Sequence, residues 1–270
     1  MHDAPVTTSG AMTRRGQPPT RSEPEKSAKA AGQGAPAALL AGVLALTGAL
    51  VGAAPAAAAN NISTLLSGAT PVAAWDFSTA TTADPTVVDT IGGRNGTLSG
   101  NWSPAVGPNN APGAVAFNDP SMMTVNPDPV LNPGFGDFAI KARVRVTGAV
   151  VGSPNITQRG YYYDSAQYKM QIEPDNGGTL VCRLKGSKGT LMLSAVTPIL
   201  DGLWHTVTCG RRYRQHFLLQ DGVTVAINST TRIGDITSSR PLVAGAKYLY
   251  GVDPDQFPGE IARLEYVTLP

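Results

Sequence analysis

The chain has 270 residues, with 21 basic and 19 acidic side chains and a formal net charge of +2 at pH 7. From Asn60 onward the two signs balance at sixteen each, so charge points to neither a nucleic acid nor a membrane surface as partner.

Met1 to Gly34 is rich in Pro, Gly, Ser, Thr and Lys/Arg and almost without large apolar side chains, a composition that cannot offset its ordering entropy. Ala37 to Ala53 is an uncharged apolar run of 17 residues, followed by Pro55 and Ala56 to Ala59. A basic leader, a short apolar segment and small residues in an A-x-A arrangement are the parts of a secretory signal peptide. The run is at the short limit for a membrane span, and no basic stop-transfer cluster follows it. Residues 1–59 are therefore expected to be a disordered leader plus a signal peptide cleaved near Ala59. The rest would be secreted, with no membrane attachment. The pair Arg14-Arg15 lies too far from the apolar segment to read firmly as a twin-arginine signal.

After residue 60 short alternating segments recur between Gly, Pro, Asn and Asp clusters, which predicts an all-β sandwich or barrel. Strands are expected at Val72–Phe77, Ala114–Phe117, Phe138–Val146, Tyr168–Ile172, Thr179–Lys185, Trp204–Cys209, His216–Gln220, Val223–Ile227 and Ile261–Leu269. The clearest is Phe138–Val146, where Phe138, Ile140, Ala142, Val144 and Val146 face one way and Lys141, Arg143 and Arg145 the other. Asp221-Gly222 predicts a two-residue hairpin turn, because both positions favour positive φ. No internal repeat or linker interrupts residues 60–270, so one domain is expected.

The order of these segments carries more than any one of them. Trp75-Asp-Phe77, Asp89-Thr-Ile-Gly-Gly-Arg-Asn-Gly-Thr-Leu98, Ala114-Val-Ala-Phe117 and Phe135-Gly-Asp-Phe-Ala-Ile140 come first. Asp201-Gly-Leu-Trp-His-Thr-Val207, Leu218-Leu-Gln-Asp-Gly222 and Phe257-Pro-Gly-Glu-Ile-Ala-Arg-Leu264 follow. Together, from about Pro71 to the C-terminus, they resemble the laminin-G-like domain of the concanavalin-A-like lectin/glucanase superfamily. The resemblance implies a two-sheet antiparallel jelly-roll β-sandwich. It also implies a ligand that is a sugar, a sulfated glycan or a protein, and in many relatives a calcium ion at a loop rim. Other members are hydrolases or lyases, so the site residues have to decide function.

The glucanases of that superfamily carry a Glu-x-Asp-x-x-Glu strand. Here the nearest segment is Glu173-Pro-Asp-Asn-Gly-Gly178, which lacks the third carboxylate and reads as a hairpin turn. There is no Gly-x-Ser-x-Gly elbow, and the two histidines after residue 60, His205 and His216, lie far from any Cys pair that would suggest zinc. No catalytic residue is assigned.

Cys182 shares a face with Leu180 and Leu184, and Cys209 with His205 and Val207. In an exported chain the pair reads as a disulfide, expected to join neighbouring strands; two buried free thiols are the alternative. Asp253-Pro-Asp-Gln-Phe-Pro-Gly259 fails as an EF-hand loop because Pro258 occupies the sixth position. Asp89 and Asn95 in the Gly-rich loop read first as turn caps, with a calcium ion the alternative they could ligate; no other cofactor is indicated. Two surfaces offer ligand chemistry. One is Tyr161, Tyr163 and Arg159 beside Asp164 and Tyr168, where rings could stack on sugars or simply fill the core. The other is a stripe of Lys141, Arg143 and Arg145, extended by Arg183 and Lys185 if those strands share a sheet and by Arg211, Arg212 and Arg214. It would suit an acidic polymer or be an ordinary solvated face. The function expected is a secreted, non-catalytic module that binds a polysaccharide or cell-surface glycan. A protein-binding surface domain and a divergent hydrolase or lyase are the alternatives.

Overall fold

A computed structural model describes residues 62–174 and 177–270; the expected leader, export segment and cleavage position lie outside them. A four-residue helix α1 (Ile62–Leu65) precedes β1 (Thr70–Asp76), β2 (Thr86–Asp89), β3 (Gly96–Val106), β4 (Pro112–Val125), β5 (Phe138–Val146), β6 (Asn155–Arg159) and β7 (Gln167–Glu173). Then come β8 (Thr179–Gly186), β9 (Gly189–Pro198), β10 (Trp204–Arg212), β11 (Gln215–Gln220), β12 (Val223–Asn228), β13 (Leu242–Ala244) and β14 (Gly259–Thr268). Every strand expected from the alternation is among them.

The strands pair in the order β12-β11-β10-β5-β14-β1-β2-β3-β4-β13-β6-β7-β8-β9, and β4 also pairs with β14. This ladder folds over into two antiparallel layers. β4 serves both: Val115–Phe117 pairs with Gly259–Ile261 of β14, and Met123–Val125 pairs with Leu242–Ala244 of β13. The layers meet through the inward residues of each strand. Phe138 of β5 lies 5.6 Å from Tyr168 of β7, and Tyr168 lies 6.1 Å from Tyr266 of β14, ring centre to ring centre. Trp75, Phe77, Ile140, Met170 and Leu264 are fully buried around them. Each large apolar side chain withdrawn from water in this way contributes roughly 1.5–3 kcal/mol.

The β11–β12 turn is the one expected, with Asp221 at φ 50° and Gly222 at φ 77°. Glu173–Gly178 is likewise a hairpin connection between β7 and β8: Gly177 and Gly178 donate backbone hydrogen bonds to the Pro174 and Glu173 carbonyls.

Cys182 and Cys209 are joined, with Cα atoms 5.6 Å apart, but not between neighbouring strands. Cys182 is flanked in its sheet by Met170 and Leu193, and Cys209 by Ile140 and Leu218. Both point inward, so the bond ties one layer to the other through the core. The expected faces were right and the expected adjacency was not, because inward faces of opposed sheets meet as readily as residues of paired strands.

Candidate functional site

The basic stripe on β5 is not a free cationic surface. β14 runs beside it and brings acids into register: Lys141 Nζ lies 2.8 Å from Glu265 Oε2, and Arg145 Nε lies 2.5 Å from Glu260 Oε2. Arg143 donates to Thr206 Oγ1 and lies 3.8 Å from Asp221. Arg183 and Lys185 stand on β8, in the other layer, so they do not extend the stripe. Nor do Arg211 and Arg212, which are buried. Arg211 donates to the carbonyls of Gly134, Gly136 and Gly234, and Arg212 to those of Thr64, Leu65 and Ser67. Both are clamps that hold loops and the α1 segment onto the sheet.

His205 belongs to the same region. Its Nδ1 lies 2.5 Å from Asp221 and its Nε2 lies 2.9 Å from Asp201, which joins the β11–β12 turn to the loop before β10. Burial pushes the imidazole pKa down, but the two carboxylates outweigh it and hold the pKa above the usual histidine value. A pKa raised by folding means stability that is complete below the unfolded value of about 6.5 and is lost as pH rises through the folded one. The melting temperature is therefore expected to decline from about pH 6.5 upward, and His205→Gln to flatten that decline in pH-resolved thermal melts.

Asp89 and Asn95 are neighbours in space, as a shared site requires. The groups facing their oxygens are N–H donors. Asp89 accepts from the backbone N–H groups of Ala74, Ile91 and Arg94, and Asn95 Oδ1 accepts from Asp89 N. Burial would raise the Asp89 pKa; the backbone donors, led by Ala74, prevail and hold it below the usual carboxylate value. The pair organises the β2–β3 turn. Among the described residues no group of three or more His, Cys, Asp and Glu stands in metal-binding proximity.

Arg159 is not part of the exposed surface. It is 1% exposed, with Nε on Asn132 Oδ1 and one terminal nitrogen on the Ser238 carbonyl, and so braces two loops from within. Tyr168 is likewise core, its hydroxyl donating to the Leu131 carbonyl. Arg159 thus leaves the expected aromatic surface.

The tyrosine loop itself stands out of the fold. Gly160 (φ 83°) starts it, and a Cβ there would meet the Ala166 carbonyl at 2.1 Å, so the chain can leave β6 in this direction only with glycine. Tyr162 and Tyr163 are 59% and 93% exposed, their rings 5.0 Å apart edge to face. Beneath them the loop is held from several sides. Asp164 accepts from Tyr161 N and from both arms of Arg240, and Arg240 lies 4.8 Å over the Tyr161 ring. Arg240 is the main cause that keeps the Asp164 carboxyl below its ordinary range. Arg183 packs 4.2 Å under Tyr162, and Lys185 Nζ donates to the Tyr162 carbonyl. The cations expected to form a stripe instead support these aromatic rings.

Strand alternation offered no hint of what lies next to the loop. Tyr248 packs edge-on against Tyr161, 6.4 Å away, and is approached by Lys247. Lys247 also lines an open cavity of about 800 Å³ with Asp119, Asp253, Asp255 and Gln256. Asp255 is paired there with Lys169 and Lys247, each at 3.1 Å. The result is a run of aromatic faces leading to a polar hollow, the mix of apolar contact and directed hydrogen bonding that small polar ligands require. In the sequence Asp253 and Asp255 stand out only as a calcium-loop pattern, which fails.

Comparison with solved structures places this architecture. Domain 4 of AbnA, an extracellular arabinanase from Geobacillus stearothermophilus solved in complex with arabinotriose, matches with a TM-score of 0.56 at 16% identity, over 74% of this chain and 93% of that one. The fold is a jelly-roll β-sandwich. The binding domain of Paraclostridial Mosquitocidal Protein 1 matches with a TM-score of 0.56 at 16% identity, and that of botulinum neurotoxin serotype D with 0.54 at 12%. Each covers 73% of this chain, which spans about half the length of those two toxin domains, 48% and 47%. No protein-family model and no curated protein matches the sequence. At these identities the likeness is one of fold.

Proposed function

We propose that the chain is an exported, non-catalytic carbohydrate-binding module of laminin-G-like kind, with the tyrosine loop Tyr161–Asp164 as its ligand surface. The observation that carries this is Tyr163, 93% exposed on a loop braced by Arg183, Arg240 and Tyr248 rather than left loose. A large ring kept in water costs solvation that a sugar face would recover, and bracing cuts the ordering cost of binding. The fold neighbour solved with arabinotriose supports a sugar as ligand. A disulfide in the core supports an oxidising compartment.

Each glutamate after residue 60 is engaged by other side chains, including Glu265, which lines one opening together with Asp76. Glu173 is held by Ser153 and Gln171, Glu260 by Arg145, and Glu265 by Lys141 and Arg263. That supports binding without turnover, because glycoside hydrolysis needs two carboxyl groups available across one bond, one as acid and one as nucleophile or base. The test is a screen of polysaccharides and glycan arrays, with calcium and with a chelator. Retention of neutral glycans without product release is expected, and indifference to calcium if Asp89 and Asn95 serve only the turn. No glycan retained in either condition would point to a protein partner; release of shortened sugars would point to an enzyme.

A further inference from the structure

At the end of the sandwich beyond the β10–β11 turn, a separate opening of about 320 Å³ leads toward the space between the layers. Four cations line it, Lys188, Arg211, Arg214 and Arg232, and no carboxylate does. In this it differs from the two larger openings, where Asp253 and Asp255, or Asp76 and Glu265, share the walls with the cations. Arg211 is spent on loop carbonyls, but Lys188, Arg214 and Arg232 have no ion-pair partner among the described residues. Of the nearby acids, Asp137 lies 4.0 Å from Arg211 Nε and accepts from Tyr213 N, and Asp235 accepts from Thr237; neither is paired with Lys188, Arg214 or Arg232.

The second observation lies inside. His216, paired across the strands with Arg211, is 2% exposed and lines the same opening, and neither of its ring nitrogens has a well-formed hydrogen bond, the Asn228 backbone alone standing near the ring. A buried polar group left without a partner costs about 1–3 kcal/mol, and a ligand group that supplies the partner removes that cost. Burial lowers the His216 pKa, outweighing the Asn228 backbone beside it, so at neutral pH the ring is neutral with one N–H to donate. Phe135 and Tyr213, 72% and 71% exposed, form an aromatic wall at the mouth.

We propose that this opening is a second binding site, built for a negatively charged sugar unit whose acid group meets Arg214, Arg232 and His216 while its ring lies against Phe135 and Tyr213. The volume is that of a single ring-sized ligand, at the low end of small-molecule sites. The site is independent of the tyrosine loop and stands or falls separately.

Calorimetric titration of the full chain with glucuronate, glucose and inorganic sulfate tests it. Glucuronate is expected to bind at least about tenfold more tightly than glucose or sulfate, and to lose about tenfold in an Arg214→Ala/Arg232→Ala double variant. Both arginines are exposed, so thermal melts of that variant should match the parent. Lys141→Ala, at a residue paired with Glu265 and outside this opening, should leave glucuronate binding unchanged. Equal binding of glucose removes the acid group from the account, and equal binding of sulfate removes the sugar ring. No glucuronate binding, or full binding by the double variant, overturns the site.

Discussion

Cys209→Ser is expected to lower the melting temperature of the oxidised protein by roughly 7–14 °C. The bond closes a segment of 27 residues. Constraining a loop of that length removes unfolded-chain entropy worth about 3.5 kcal/mol in the chain-entropy model. A melting shift of roughly 2–4 °C per kcal/mol applies to a domain of this size. The position adds to the effect, since both sulfurs lie in the shared core and their strands β8 and β10 have no hydrogen bonds to each other. Nothing in the sheet ladder replaces the link when it is cut. Thermal melts with and without reductant check this. The parent should fall on reduction toward the Cys209→Ser value, and a variant that melts with the oxidised parent would contradict it.

Asp89→Ala should cost about 3–5 kcal/mol, because the Ala74, Ile91 and Arg94 amides would lose their acceptor together. Asp89→Asn keeps one oxygen and should recover part of the loss. The pH dependence has a definite sign. The folded pKa is lowered, so the contribution is present above the unfolded value of about 3.9 and is lost as pH falls through the folded one. Denaturant unfolding at neutral pH and melts from pH 5 downward measure both effects. If Asp89 serves the turn, chelator leaves the parent's curve in place. A calcium-dependent stabilisation lost with Asp89→Ala would instead make it a metal ligand.

These two residues also show how far single-sequence reading reaches. Phe138–Val146 was legible because one face meets the core at every second residue, and the same contrast revealed β10, β11 and β14. It failed for β9, where exposed Met192 and Val196 alternate with Leu191, Leu193 and Ala195, so apolar residues occupy both faces. β3 was hidden by its Gly, Asn, Ser and Pro content, and β6 by a polar composition that is nonetheless wholly buried. The candidate site was legible in its aromatic residues and misjudged in its cations. Whether an arginine is free or clamped depends on which strand runs beside it and which carbonyls come within reach. Arg159, Arg211 and Arg212 look like surface residues until β14, the α1 segment and the loops are placed. Tyr248 and the cavity beyond it belong to a segment with no periodic signal, brought to Tyr161 only by the tertiary fold.

The most direct test of the tyrosine surface is a titration of the best-retained oligosaccharide against the parent, Tyr163→Ala and Lys141→Ala, at low and high salt. Tyr163→Ala should melt with the parent yet bind roughly tenfold more weakly, as loss of an aromatic anchor does. Lys141, already paired with Glu265, should be dispensable, and added salt should change the affinity little. Undiminished binding by Tyr163→Ala, with loss on Lys141→Ala and steep weakening in salt, would contradict the account and move the ligand to the face of β5.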